Sequence, residues 1–166
     1  MFKFLKNINI PKTNVKIFEN RDLKGKIINE YLVNQNPYEV VIDLNDQEKR
    51  SINQRLVEGI SKILNDDISD GTDKKLTLEN TEISRSKNYV PTMPDQLKEW
   101  EWHSWNVLTK KKANSDKAYF LFAVKLDEDR YACMLFTNEK FKELLNEKKL
   151  TPDERYFFYF AKKGHY

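Results

Sequence analysis

Residues 98–109 hold the side chains of this sequence best suited to chemistry, because they combine carboxylates, an imidazole and all three tryptophans. In an extended strand, successive side chains alternate between the two faces of a sheet. Two aromatic residues then share one face and three polar residues share the other: Trp100 and Trp102 against Glu99, Glu101 and His103. The pattern predicts aromatic stacking on one side and metal binding or proton transfer on the other.

The polar side of this segment predicts a divalent-metal site. Carboxylates and an imidazole are ligands for Mg²⁺, Mn²⁺ or Zn²⁺. A further acid must come from elsewhere in the fold, and Asp43, Glu79 and Glu82 are candidates. As a catalytic set, Glu99, Glu101 and Asp43 would bind Mg²⁺ or Mn²⁺, while His103 would polarise or deprotonate water. The alternative is that both glutamates are solvated and His103 is an ordinary strand residue.

The order of these parts resembles the PD-(D/E)XK nuclease core. A helix and an acid-bearing strand precede a strand with Glu101, His103 and a serine, and a hairpin and a helix follow. The resemblance implies metal-dependent cleavage of nucleic acid, with Glu101 at the acidic position and His103 in place of the family's lysine. Since Pro94-Asp95 lies only a few residues before Glu101, the second acid would be Asp43 or Glu79.

A run of three lysines, Lys110, Lys111 and Lys112, follows the tryptophan segment. Lysines at the end of an aromatic strand can hold phosphates through counterion release. Residues 84–166 also carry 16 of the 21 aromatic residues and a net charge of +4. Aromatic rings beside positive charge are typical of single-stranded nucleic-acid binders. The alternative is an aromatic core with solubilising lysines at its rim.

Length and composition favour one soluble α+β domain over residues 1–166. The chain has a net charge of +3 and 33% charged residues. It contains no apolar run of the roughly 18 residues that cross a bilayer, and no signal-peptide pattern. We therefore expect a cytosolic protein without membrane contact. The single cysteine, Cys133, lies in an apolar run and is expected to be a buried, inert thiol.

Apolar spacing predicts two N-terminal helices and one later helix. The first covers residues 20–33, and the second begins with Asn45 and Glu48 as its capping residues. An acidic, glycine-containing stretch at 65–75 predicts a mobile connector. The third helix follows Thr137 as its N-cap.

Strand patterns predict an antiparallel sheet formed mostly by residues 76–161. β-Branched and aromatic residues mark five strands, at 38–44, 76–83, 118–126, 130–136 and 155–161. The polar residues 127–129 predict a hairpin turn. The predicted fold class is thus α+β, with this sheet packed against the three helices.

The function predicted from these observations is binding rather than catalysis. Trp100 and Trp102 would stack on bases and the three lysines would contact phosphates of DNA or RNA, or the sheet would contact a protein that handles them. The alternatives are the metal-dependent nuclease and a protein-interaction or inhibitor module of phage or mobile-element type, with a homodimer possible.

Overall fold

The computed structural model describes residues 15–21, 27–32, 37–45, 50–67, 75–92 and 100–163. These residues form nine strands, three helices and a short 3-10 turn at Val90–Thr92. The strands are β1 (Val15–Arg21), β2 (Ile27–Leu32), β3 (Tyr38–Val41), β4 (Thr81–Lys87), β5 (Trp100–His103), β6 (Asn106–Thr109), β7 (Tyr119–Lys125), β8 (Arg130–Thr137) and β9 (Arg155–Lys163). The helices are α1 (Ile52–Asp67), the single turn α2 (Lys110–Ala113) and α3 (Asn138–Leu145).

The strands pair into two sheets, which we call the β9 sheet and the β7 sheet. In the β9 sheet, β9 pairs with β1 along one edge and with β6 and then β5 along the other, and β2 flanks β1. The β7 sheet has the order β3-β8-β7-β4. All these pairs are antiparallel except β4 with β7, which is parallel.

The two sheets pack face to face around an aromatic core. The buried side chains include Trp102, Leu108, Phe158 and Phe160 from the β9 sheet and Phe120, Phe122, Ala132 and Met134 from the β7 sheet. Phe141 of α3 closes this core and stacks on Phe120 with ring centroids 3.9 Å apart. Burying each such large side chain contributes about 1.5–3 kcal/mol, so this layer holds the sheets together.

Helix α1 covers the outer face of the β7 sheet. Leu56 and Ile60, one turn apart on the helix, are fully buried in a second core that includes Val40, Leu121 and Cys133. The β7 sheet is therefore covered on both faces. This is why β7 is apolar along almost its whole length, without the alternation of a half-exposed strand.

Side-chain hydrogen bonds from two serines join the sheets at the seam between β4 and β6. Ser86 Oγ accepts from the Trp105 N–H at 2.9 Å. Ser84 Oγ accepts from the Val107 N–H at 3.2 Å and donates to the Val107 carbonyl at 3.0 Å. The buried Asn106 donates its amide to the Ser84 carbonyl at 3.0 Å. These bonds fix β6 beside β4 where no backbone ladder forms.

The α+β class is confirmed, as are several elements of the C-terminal half. The strands at 119–125, 130–137 and 155–163 lie where the sequence predicts them, with a turn between β7 and β8. Helix α3 begins after Thr137, whose hydroxyl accepts from the Lys140 N–H at 3.3 Å. Local signals and tertiary packing agree in these elements.

The prediction of a helix over residues 20–33 is wrong. The chain continues as β1 to Arg21, and Ile27–Leu32 form β2, which pairs antiparallel with β1. The two adjacent isoleucines of β2 favour a strand, because β-branched side chains suit a pleated sheet. The ladder that links β2 to β1, and β1 to β9, therefore outweighs the helical spacing of the apolar residues.

Other boundaries also differ from prediction, and the strand predicted at 38–44 ends at Val41. Helix α1 begins at Ile52 rather than after Asn45, because Ser51 caps it by accepting from the Gln54 N–H at 3.1 Å. Residues 65–67 of the predicted connector continue α1, and 68–74 lie outside the described residues. The strand predicted at 76–83 instead spans Thr81–Lys87, where pairing with β7 sets its position.

Candidate functional site

A β-bulge divides the predicted tryptophan strand. Trp100 pairs with Lys163 and Trp102 with Lys162, so Glu101 is an extra residue in β5. Trp102 therefore packs in the core between the sheets, and Trp100 packs on the outer face of the β9 sheet. The predicted common face for the two tryptophans is wrong, because alternation is lost at the bulge.

Both of these indoles are buried. Trp100 is 6% exposed and Trp102 is 2% exposed. Stacking on a nucleic-acid base needs an accessible ring face. Trp100 and Trp102 instead serve as core residues on opposite sides of the β9 sheet.

The predicted metal ligands are not brought together among the described residues. His103 is 1% exposed, and its backbone N–H donates to Asn88 Oδ1 at 3.1 Å. Glu101 lies 3.4 Å from Lys162 Nζ in an ion pair. Asp43 follows β3 in the other sheet, and Glu99 lies outside the described residues. Among the residues that the structure describes, no group of three or more His, Cys, Asp or Glu side chains could hold a metal ion.

Helix α3 holds the lysine turn, Lys110–Ala113, in place. All three lysines of this turn are exposed. Lys142 Nζ of α3 donates to the carbonyls of Ala113 at 2.6 Å and Ser115 at 3.0 Å. Burial lowers the pKa of Lys142, and the nearby Asp116 carboxylate opposes this effect. The predicted lysine run is thus presented to solvent on a fixed turn.

The third tryptophan, Trp105, forms an exposed aromatic cluster on the outer face of the β9 sheet. It is 44% exposed. Its ring centroid lies 5.7 Å from Phe157, 6.0 Å from Tyr89 and 6.0 Å from Tyr159. The hydrogen bond from its backbone to Ser86 fixes the chain at this position. Three neighbouring rings therefore contact the indole, while much of the residue remains exposed to solvent.

Two cations flank this aromatic group. Lys87 Nζ lies 4.8 Å from the Tyr89 ring centroid, and the Arg155 guanidinium lies 5.4 Å from that of Phe157. Arg155 also pairs with Asp153, and hydrogen bonds from Thr151 and then Arg155 lower the pKa of that carboxyl. Lys87 forms no ion pair with the described carboxylates. We call these residues the Trp105 cluster: Lys87, Tyr89, Trp105, Arg155, Phe157 and Tyr159.

Sequence reasoning did not single out the Trp105 cluster. Trp105 lies three positions after Trp102, so simple alternation places it on the opposite face, and the structure agrees. Its neighbours come from the segment after β4 and from β9, and nothing in their local sequence indicates that they meet. The consecutive aromatics of β9 were the available signal, since such a strand must be covered on both faces or expose rings.

The cysteine has no role in this site. Cys133 is fully buried in β8, and burial raises the pKa of its thiol to about 12. Because the thiolate is the nucleophile, the thiol is inert in the folded protein.

Comparison with known proteins adds no family to this description. No family model, curated protein or solved structure matches the chain. None of the helices in the described ranges is long and apolar enough to cross a membrane.

Proposed function

We propose that this protein binds single-stranded nucleic acid through the Trp105 cluster. A base would stack on the exposed face of Trp105, and Lys87 and Arg155 would contact the neighbouring phosphates. The observation that carries the proposal is a 44% exposed indole, supported by three aromatic rings and flanked by two cations.

The energetics of such a surface favour nucleic acid. Stacking of a base on an aromatic side chain is worth about 1–3 kcal/mol by alanine substitution. The rings that support Trp105 restrict its motion before a ligand arrives, so little conformational freedom remains to be lost on binding. Lys87 adds attraction for the phosphate backbone, which weakens as salt concentration rises.

The cluster favours single strands over duplexes. A base in a duplex is already stacked on its neighbours, and it reaches an aromatic side chain only when it is splayed out. DNA and RNA offer the same base faces and phosphates, so both are expected ligands.

Two other functions have less support from the geometry. A protein partner could use Trp105 as a hot spot, but the flanking cations favour an anionic ligand. A metal-dependent nuclease would need an accessible His103 and a Glu101 available to a metal, whereas His103 is buried and Glu101 pairs with Lys162.

Fluorescence anisotropy with labelled oligonucleotides tests the proposal. Single strands should bind more tightly than duplexes of the same sequence, and Trp105→Ala should weaken single-strand binding about 5- to 150-fold. Leu44→Ala is the matched control, since Leu44 is 59% exposed but lies beyond β3 in the other sheet. Equal affinity of Trp105→Ala and wild type, or a preference for duplexes, would contradict the proposal.

A further inference from the structure

A second surface feature, a basic groove, lies near the Trp105 cluster. Its volume is about 730 Å³, and three lysines and one glutamate supply its charge: Lys111, Lys112, Lys117 and Glu82. Glu82 Oε1 lies 3.8 Å from Lys117 Nζ in an ion pair. Lys111 and Lys112 pair with no described carboxylate. The groove therefore carries excess positive charge on the side formed by α2.

The groove and Trp105 lie at opposite ends of the seam between β4 and β6, while Arg155 of the cluster pairs with Thr109 at the groove end. Ile83 and Thr109 line the groove, whereas Lys87 and Trp105 belong to the cluster. Alternation places Ile83 and Lys87 on one face of β4, and Thr109 on the same face of β6 as Trp105. The four residue-to-residue steps from Trp105 to Thr109 span about 13 Å at about 3.3 Å each.

The surface between the two ends suits the same ligand. Arg85 lies between Ile83 and Lys87 in the alternation of β4 and is exposed. On β6, the intervening residue Val107 is half-buried. The seam thus carries an aromatic surface at one end, a cation beside its middle and lysines at the other end. Single-stranded nucleic-acid sites combine these same parts.

We infer that one nucleic-acid strand lies along this seam, with a base on Trp105 and its continuing phosphate backbone in the groove beside Lys111 and Lys112. This inference rests on the proposed function, because Trp105 defines one end of the path. The ligand is an unpaired strand long enough to reach both ends. Shorter strands occupy the Trp105 cluster alone.

Salt titrations with oligonucleotides of about 4 to 16 nucleotides test the inference, since single domains occupy sites in that range. In Lys111→Gln/Lys112→Gln, the slope of log affinity against log salt for the longest strand should fall by about 1.4, or about 0.7 per lost phosphate contact. A mononucleotide, which cannot span the roughly 13 Å of the seam, should be insensitive. Lys140→Gln/Lys149→Gln removes equal charge from exposed positions outside the groove and should leave every slope unchanged.

The outcomes separate this inference from the proposed function. Quenching of tryptophan emission by the strand reports the contact with Trp105, and the salt slope reports the groove. Suppose that the strand quenches tryptophan emission normally in Lys111→Gln/Lys112→Gln, and that the salt slopes equal those of the control at every length. This result would overturn the inference and leave the proposed function standing. If the salt slope falls in the lysine variant but the strand does not quench tryptophan emission, the groove remains a phosphate site and stacking on Trp105 is overturned. Absence of binding by the wild type would overturn both.

Discussion

Cys133 lies in β8 without exposed surface, and burial raises the pKa of its thiol to about 12 from an ordinary value of 9.0. Near neutral pH its thiolate fraction is then about a thousandfold smaller than that of a free thiol. We predict that a disulfide reagent leaves the folded protein unmodified and modifies one thiol after unfolding in guanidinium. Rapid modification of the folded protein would contradict the described burial.

The raised pKa of the Cys133 thiol makes the stability of the protein fall at alkaline pH. As pH rises from about 9 towards 12, the unfolded chain releases the thiol proton while the folded chain retains it. The Cys133 contribution to the free energy of unfolding is therefore complete below pH 9 and declines across this range. Denaturation curves at several pH values should show a shallower alkaline decline for Cys133→Ala than for wild type.

At the residue level, the burial of an apolar side chain was easier to predict than its direction. The apolar run around Cys133 indicated a buried thiol, and the structure confirms it. The face of the sheet to which Trp100 and Trp102 each point was not predictable, because the bulge at Glu101 depends on where β5 pairs with β9. A single inserted residue reverses the alternation, and the sequence of β5 carries no mark of it.

At the level of elements, Lys142 links α3 to the lysine turn. Its ammonium donates to the carbonyls of Ala113 and Ser115, and hydrogen bonds to charged groups contribute about 1.5–3 kcal/mol. We predict that Lys142→Met lowers the free energy of unfolding by about that amount and speeds amide exchange in residues 110–115. Denaturant titration and hydrogen exchange measure the two effects.

Lys140→Met provides the matched control on the same helix. Lys140 is exposed, and its ion pair with Glu143, at 3.7 Å, joins two solvent-facing side chains. Its replacement should change stability by no more than about 0.5 kcal/mol. Equal effects of the two substitutions would mean that Lys142 does not hold the lysine turn.

Gly59 allows α1 to approach the β7 sheet closely. A Cβ added at this position would lie 2.5 Å from Val40 Cγ1. Alanine would gain about 0.8–1 kcal/mol of helix propensity over glycine, but overpacking costs about 1–3 kcal/mol. We predict that Gly59→Ala is destabilising despite the better propensity, as measured by denaturant unfolding.

A double-mutant cycle identifies the contact responsible. If Val40 is the obstacle, Gly59→Ala should cost less in a Val40→Ala background than in wild type, with a coupling of about 0.5–3 kcal/mol. Lys62→Ala, at an exposed position of the same helix, should be nearly neutral. Additive effects in the cycle would contradict the packing account.

Elements were predictable where a local signal and the tertiary context agreed. Thr137 as a helix cap and the polar turn at 127–129 are both fixed by nearby residues. The strand β2 was missed because its spacing fits a helix, and only its pairing with β1 decides the outcome. The parallel pair of β4 with β7 likewise depends on contacts between segments far apart in the sequence.

At the level of the whole molecule, the candidate site exists because two sheets meet at a seam. Ser84 and Ser86 attach β4 to β6, and this junction sets Lys87 and Tyr89 beside Trp105. The sequence predicted an aromatic, basic binding surface in the C-terminal half and assigned it to Trp100 and Trp102, which are buried, whereas Trp105 is exposed. Which rings are exposed depends on how the sheets pack, and that follows from long-range pairing.

The most direct measurement follows the three indole N–H signals by NMR while a single-stranded oligonucleotide is added. Trp105→Phe assigns one signal, and Trp100 and Trp102 are buried. The account predicts that the Trp105 signal shifts progressively and saturates, with much smaller changes in the other two. A Trp105 signal that stays unchanged at saturating oligonucleotide, or equal shifts of all three signals, would contradict it.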